Sequence, residues 1–297
     1  MPFASNKDVR IYYEVYGDGP PMVLVHANPF DHRLFTYQIA RWSPYFRIVA
    51  LDIRGYGRSD KPDEEFSLRD MADDVLAVCA QERITRAVLM GVSVGSGIGL
   101  LIGLDHPEMV EALILVGGSA KGGADISKRV AGYTSADLKG YQRSHIGELV
   151  APGFPDTLLG RWVLDLFSEN AHMLSGRCIA TIFKAREACD MRARLGEMKP
   201  PTLVINGEHD VSLQRGGETA SLIPGATHVV LPGTGHACCI EDPAAFEAAV
   251  MEFLTAEGLN SDALGPVSIT TCFGRARPHT GRAGRNSAAH NTRRDQR

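Results

Sequence analysis

Three residues far apart in the 297-residue chain carry side chains that together could do nucleophilic chemistry: Ser93, Asp210 and His236. A serine hydroxyl is a poor nucleophile near neutral pH. It needs a base within hydrogen-bond reach, and the base needs an orienting acid. Donors must also point at the oxyanion that develops on the substrate. Ser93 lies in Gly91-Val92-Ser93-Val94-Gly95, Asp210 in Asn206-Gly207-Glu208-His209-Asp210, and His236 in Gly233-Thr234-Gly235-His236. The Gly-x-Ser-x-Gly spacing is weak by itself. With 31 glycines in the chain, it arises by chance roughly 0.2 times per sequence of this composition, so its context decides. Glu208 is a rival acid. Among the histidines, His209 sits on the acid's own loop, His228 falls inside a strand pattern, and His26 is expected to hold its loop together rather than do chemistry.

That context is an alternation of buried strands and helices. Met22–Val25, Arg47–Asp52, Ala87–Val92, Ala112–Val116, Thr202–Asn206 and Thr227–Leu231 are short apolar runs, the pattern of strands covered on both faces. Val9–Val15 reads as an edge or antiparallel strand. Helices are expected over Arg33–Trp42, from Leu68 after the capping residue Ser67, after Ser93, over Gln214–Leu222 and over Pro243–Ala256. The fold class is therefore α/β, a mostly parallel sheet with both faces covered. Ser93, Asp210 and His236 each follow the carboxyl end of a strand, where such sheets place their ligands. From about Ser119 to Met198 the rhythm stops. Scattered large apolar residues such as Trp162, Phe167 and Met173 read as a helical insertion between two strands, packed mostly on itself and placed to roof the site.

With its elements in the order Ser…Asp…His, the chain resembles the α/β-hydrolase fold family, with Ser93 at the nucleophile elbow. The resemblance runs from about residue 10 to about residue 257 and includes Asp52-x-Arg54-Gly55-x-Gly57-x-Ser59. It implies a hydrolase core over 1–118 and 199–258 and a helical cap over 119–198. It implies an oxyanion hole made by the Val94 N–H and the loop His26-Ala27-Asn28-Pro29, with Asn28 as second donor and Ala27 nearby; an inward-facing Asn28 side chain would add a third. The expected substrate is a small carboxylic ester or lactone cleaved through an acyl-enzyme, with no metal or organic cofactor. The alternatives are carbon–carbon bond hydrolysis of β-diketone-type ring-cleavage products, and non-catalytic binding of a small molecule. A serine nucleophile argues against haloalkane or epoxide chemistry, for which the family uses aspartate. The glycines have a steric reason: Gly91 and Gly95 leave room at a sharp turn, while Ser96, Gly99 and Gly103 give the following helix a narrow face.

The formal net charge of −4 points to no special partner. It conceals a basic tail, with seven arginines from Arg275 onward against the single acid Asp295. The stretch 259–297 reads as a disordered extension; nucleic acid is not an expected partner. Cys79, Cys178, Cys189, Cys238, Cys239 and Cys272 show no paired spacing and read as reduced thiols of a cytoplasmic protein. No apolar run approaches the ~20 residues that span a bilayer, and no signal peptide is legible. An assembly of identical copies stays open.

Overall fold

The structure is a computed structural model that describes residues 3–123 and 126–259. The described residues belong to one unit, Met1–Leu264. The basic tail from residue 260 onward, with Cys272, lies outside them.

Eight strands form one sheet: β1 (Phe3–Asn6), β2 (Val9–Tyr16), β3 (Pro21–Val25), β4 (Arg47–Leu51), β5 (Ala87–Val92), β6 (Val110–Val116), β7 (Thr202–Gly207) and β8 (Thr227–Leu231). Their spatial order is β1-β2-β4-β3-β5-β6-β7-β8. β1 and β2 pair antiparallel with each other, and β2 pairs antiparallel with β4. Every other pairing is parallel. Of these strands, only the four-residue β1 lacks an apolar signature in the sequence.

Around the sheet lie α1 (Thr36–Trp42), α2 (Leu68–Gln81), α3 (Val94–Asp105), α4 (Ile126–Tyr133), α5 (Leu138–Leu149), α6 (Leu158–Ser168), α7 (Gly176–Ala188), α8 (Leu213–Leu222), α9 (Cys238–Glu241) and α10 (Pro243–Ala256). Two starts are set by short polar side chains. Ser67 and Asp70 form a reciprocal capping box at the head of α2. Asp31 accepts from the Arg33 N–H and sets up a 3₁₀ turn, His32–Phe35, so the expected helix Arg33–Trp42 splits into that turn and α1.

Strand residues alternate between two buried clusters. Ala87 and Leu89 of β5 face α2 and α3 beside Met71, Val75, Ile98 and Ile102. Val88, Met90 and Val92 face the opposite side beside Trp42 of α1 and Phe246, Val250 and Leu254 of α10. This is the burial on both faces that the apolar runs require. The helices between β6 and β7 share these same clusters. Tyr133 of α4 with Ile179 and Ile182 of α7 join the first. Ile146 and Leu149 of α5 with Val163 and Phe167 of α6 join the second. The expectation that Trp162, Phe167 and Met173 pack mainly inside the insertion is not met at Phe167, which reaches residues outside it, or at Trp162. Phe167 is buried edge-on against Phe30, with ring centroids 4.8 Å apart. Trp162, in contrast, is 44% exposed. None of the described helices is long and apolar enough to cross a membrane.

Candidate active site

Ser93 occupies the junction of β5 and α3 with φ +54° and ψ −107°, a backbone conformation that a non-glycine residue adopts only where its surroundings over-determine it. Those surroundings are specific. The Ser93 N–H donates to the Val116 carbonyl (2.8 Å), and its own carbonyl accepts from the Gly97 N–H (3.2 Å). A Cβ on Gly91 would lie 2.2 Å from the Gly95 carbonyl oxygen, and one on Gly95 would lie 2.2 Å from that of Val25. The steric reason for both glycines is thus met by backbone, which cannot yield. Ser96 fits the same crowded turn and donates from Oγ to the Gly91 carbonyl (2.6 Å). Val94 opens α3, so its N–H has no acceptor within the helix, and it lines the same cavity as Ser93.

Asp210 and His236 meet at the ends of β7 and β8. His236 Nδ1 lies 2.7 Å from Asp210 Oδ1, and both residues are buried at 6% exposure. Oδ1 also accepts from the Ser212 N–H (2.7 Å) and the Ser212 hydroxyl (2.8 Å). Oδ2 accepts from Asn206 Nδ2 (2.8 Å). Burial by itself would raise the Asp210 pKa. The charge and hydrogen bond of His236, with the Ser212 and Asn206 donors, outweigh it and hold the carboxyl well below the usual carboxylate range. An ionised Asp210 against Nδ1 leaves Nε2 as the nitrogen available to a nucleophile. The rival acid Glu208 is exposed and accepts from the Gly233 N–H instead.

His236 is also held from the insertion. Its N–H donates to the Leu149 carbonyl at the end of α5 (2.7 Å). Glu241 bridges the Gly235 N–H (3.0 Å) and the Ala151 N–H (2.7 Å). Gly117, at φ +57°, lies under the imidazole, and a Cβ there would approach Nδ1 to 2.8 Å.

His26 holds its loop. Its Nε2 accepts from the Ile53 N–H (2.9 Å), and burial lowers its pKa. Ala27 is fully buried beneath the same turn and accepts from the Phe30 N–H; Asn28, not Ala27, lines the cavity. The Asn28 side chain is engaged at both ends. Tyr56 donates to its Oδ1 (2.6 Å), and its Nδ2 donates to the Tyr133 hydroxyl (3.3 Å). A third donor from that amide therefore does not face the cavity unpaired.

The motif beginning at Asp52 ties its own loop together. Asp52 pairs with His32 Nδ1 (2.7 Å) and accepts from the Arg58 N–H (2.8 Å). Arg54 pairs with Asp74. Neither Asp52 nor Arg54 lines the cavity.

Ser93 and His236 line one cavity of about 290 Å³, at the small end for ligand sites. Several of its walls had no legible signal. His145 of α5 contacts the Tyr133 hydroxyl through Nδ1 (2.6 Å). Burial, helped by the nearby positive charges, pushes its pKa down to about 2, so it stays neutral. Arg186 of α7 and Arg215 of α8 also reach the cavity. Ser212 and Asn206 flank Asp210 in sequence and were within reach of local reasoning. His145 and Arg186 lie in helices that carry no motif.

Comparison with known proteins agrees with this fold. A family profile described as alpha/beta hydrolase fold matches residues 20–243. A protein of Bacillus subtilis named AB hydrolase superfamily protein YisY is 28% identical over 276 residues, covering 84% of this chain and 97% of that protein. A putative carbamate hydrolase, RutD, of a Caulobacter species is 26% identical over 83% of this chain and 96% of its own length. Among solved structures, an enol-lactonase from Burkholderia xenovorans superposes with a TM-score of 0.80 at 26% identity, covering 86% of this chain and all of that one.

Proposed function

This chain belongs to the α/β-hydrolase fold family and is a hydrolase, and we propose that it cleaves a small carboxylic ester or lactone through an acyl-enzyme formed on Ser93. The observation that carries this reading is the buried Asp210–His236 pair at 2.7 Å, opening on the cavity that Ser93 shares. The enol-lactonase among the similar structures supports the lactone side of the substrate class.

In this reading Ser93 Oγ attacks the carbonyl carbon while His236 Nε2 takes its proton. Asp210 keeps the imidazole in the required tautomer and stabilises the imidazolium. The negative charge on the former carbonyl oxygen falls to the Val94 N–H and to the backbone at Asn28. Collapse of the tetrahedral intermediate expels the alkoxide, which receives the proton from His236. In a lactone the leaving oxygen stays on the same molecule. Water, deprotonated by His236, then attacks the acyl-enzyme and frees Ser93. Each step returns the proton it uses, and none calls on a cofactor. The insertion over 119–198 acts as the cap, supplying His145, Arg186 and the Leu149 carbonyl that holds His236.

A fluorophosphonate reagent tests the reading. It should label the intact protein stoichiometrically, and Ser93→Ala should abolish labelling while circular dichroism stays native. Hydrolysis of p-nitrophenyl acetate should fall in the same variant by about 10⁴-fold or more. Equal labelling of Ser93→Ala would overturn the assignment.

A further inference from the structure

Arg186 is 8% exposed, yet no carboxylate among the described residues pairs with it. Its Nη2 donates to the Ser119 carbonyl (2.8 Å), and its Nη1 is buried without a hydrogen-bond partner. Buried guanidinium groups are ordinarily paired, and an orphaned buried donor calls for an explanation. Arg215, half-buried, repeats the pattern: its Nε is buried without a partner, and it forms no ion pair among the described residues. The two cations also oppose each other. Burial lowers the Arg186 pKa, and the charge of Arg215 lowers it further.

Both guanidinium groups have space kept for them. A Cβ on Gly97, in the first turn of α3 next to the nucleophile, would lie 2.7 Å from Arg186 Cζ. A Cβ on Gly123 would lie 2.7 Å from Arg215 Cζ. Both arginines line the cavity shared by Ser93 and His236. Arg129, on the same wall, is occupied by Glu148 (2.9 Å). Glu187, exposed at the rim, makes no ion pair with either arginine among the described residues. Two guanidinium groups lining the cavity of Ser93 therefore lack a counter-charge among the described residues.

We propose that Arg186 and Arg215 form an anion subsite of this cavity, and that the substrate carries a second, unreacting carboxylate seated on them. This rests on the reading of Ser93 as nucleophile for the reaction, though not for the binding. The substrate is then a compact half-ester of a dicarboxylic acid, or a lactone bearing a carboxylate. A planar guanidinium can grip that carboxylate through two parallel hydrogen bonds. The grip orients the scissile carbonyl toward Ser93, and neutralises charge that the fold leaves unpaired.

The binding test uses Ser93→Ala, in which nothing is turned over. Calorimetry with succinate, glutarate and adipate is set against the matching diamides. The best dicarboxylate should bind at least about 10-fold tighter than its diamide, as expected for charge-assisted hydrogen bonds. Arg186→Met and Arg215→Gln, each added to Ser93→Ala, should weaken dicarboxylate binding by about 10- to 100-fold. With Ser93 restored, the same substitutions should lower the kcat/KM ratio of monomethyl to dimethyl adipate by a similar factor. Arg215 is half-buried, so its variant keeps the test open if Arg186→Met folds poorly. No dicarboxylate exceeding its diamide, no weakening in either arginine variant, or inorganic phosphate outcompeting every dicarboxylate would each overturn the proposal. Dicarboxylate binding without fluorophosphonate labelling would overturn the catalytic reading and support the subsite.

Discussion

Arg54 and Arg186 are buried to almost the same depth, at 5% and 8% exposure, and their surroundings are opposite. Arg54, on the loop after β4, meets Asp74 through two hydrogen bonds of 2.6 Å. It donates a third to the Asp70 carbonyl and lies over the Phe66 ring. Arg186, at the end of α7, lines the cavity and has one backbone carbonyl as partner and one buried nitrogen without any. The first region is electrostatically closed: Asp52 pairs with His32, and Arg54 with Asp74. The second is open. A charge satisfied inside the protein serves the fold. A charge left unsatisfied at a cavity wall lowers stability in the empty protein and gains its partner only on binding.

The sharpest test of that contrast is stability. Arg54→Met strands Asp74, whose pKa burial already raises even with Arg54 in place. It should destabilise the protein by about 3–5 kcal/mol in urea unfolding. Arg186→Met removes a charge that has no acid to strand among the described residues, so its unfolding midpoint should stay level or rise. Equal losses in the two variants would break the comparison.

Gly117→Ala sharpens the cavity side. The new Cβ meets His236 Nδ1 at 2.8 Å from a backbone at φ +57°. The backbone term should cost about 1–2 kcal/mol of stability. Displacement of the imidazole should lower kcat by about 10²-fold, an activity loss larger than the stability loss. An unchanged kcat would show that the imidazole has room to spare.

A smaller effect probes the closed side by pH. Burial works to raise the Asp52 pKa, but the His32 hydrogen bond and charge bring it down to about 2. Its folded value thus lies below the ~3.9 of an unfolded aspartate. The stability it contributes is present above about pH 4 and is lost as pH falls through 2, by roughly 2.6 kcal/mol in all once pH is below both values. Asp52→Asn should flatten the acid limb of the stability profile. An identical limb in wild type and variant would place the acid sensitivity elsewhere.

The sheet was legible because strands buried on both faces print apolar runs, as β3 to β7 do; β8 carries a short apolar run as well, although as an edge strand it leaves Thr227, His228 and Val230 exposed. The candidate site was legible because Ser93, Asp210 and His236 each follow such a run. Helix starts such as Ser67 were readable from local capping chemistry. The four-residue β1 was not readable, since pairing with β2 rather than its own pattern makes it a strand. The division of α4 to α7 between two buried clusters was not readable either. Amphipathic periodicity shows that a helix has an apolar face, not which neighbour covers it. Trp162 shows the limit of that reasoning: a large aromatic residue in a helix, exposed at 44%.

By itself, the sequence determined the order of the strands along the chain, the strand-to-helix turn at Ser93, and Asp210 and His236 as candidate partners at later strand ends. These depend on local runs, on turn chemistry and on the rule that strand ends share one edge. Tertiary structure alone decided that Gly117 makes room for His236, that the Leu149 carbonyl anchors it, and that Arg186 and Arg215 stand without a carboxylate among the described residues. The reason is physical. A hydrogen bond, a steric gap or an unanswered charge is a relation between groups that folding brings within a few ångströms, and the residues around Arg186, from Gly97 to Ser119 to Arg215, are scattered along more than a hundred positions of the chain.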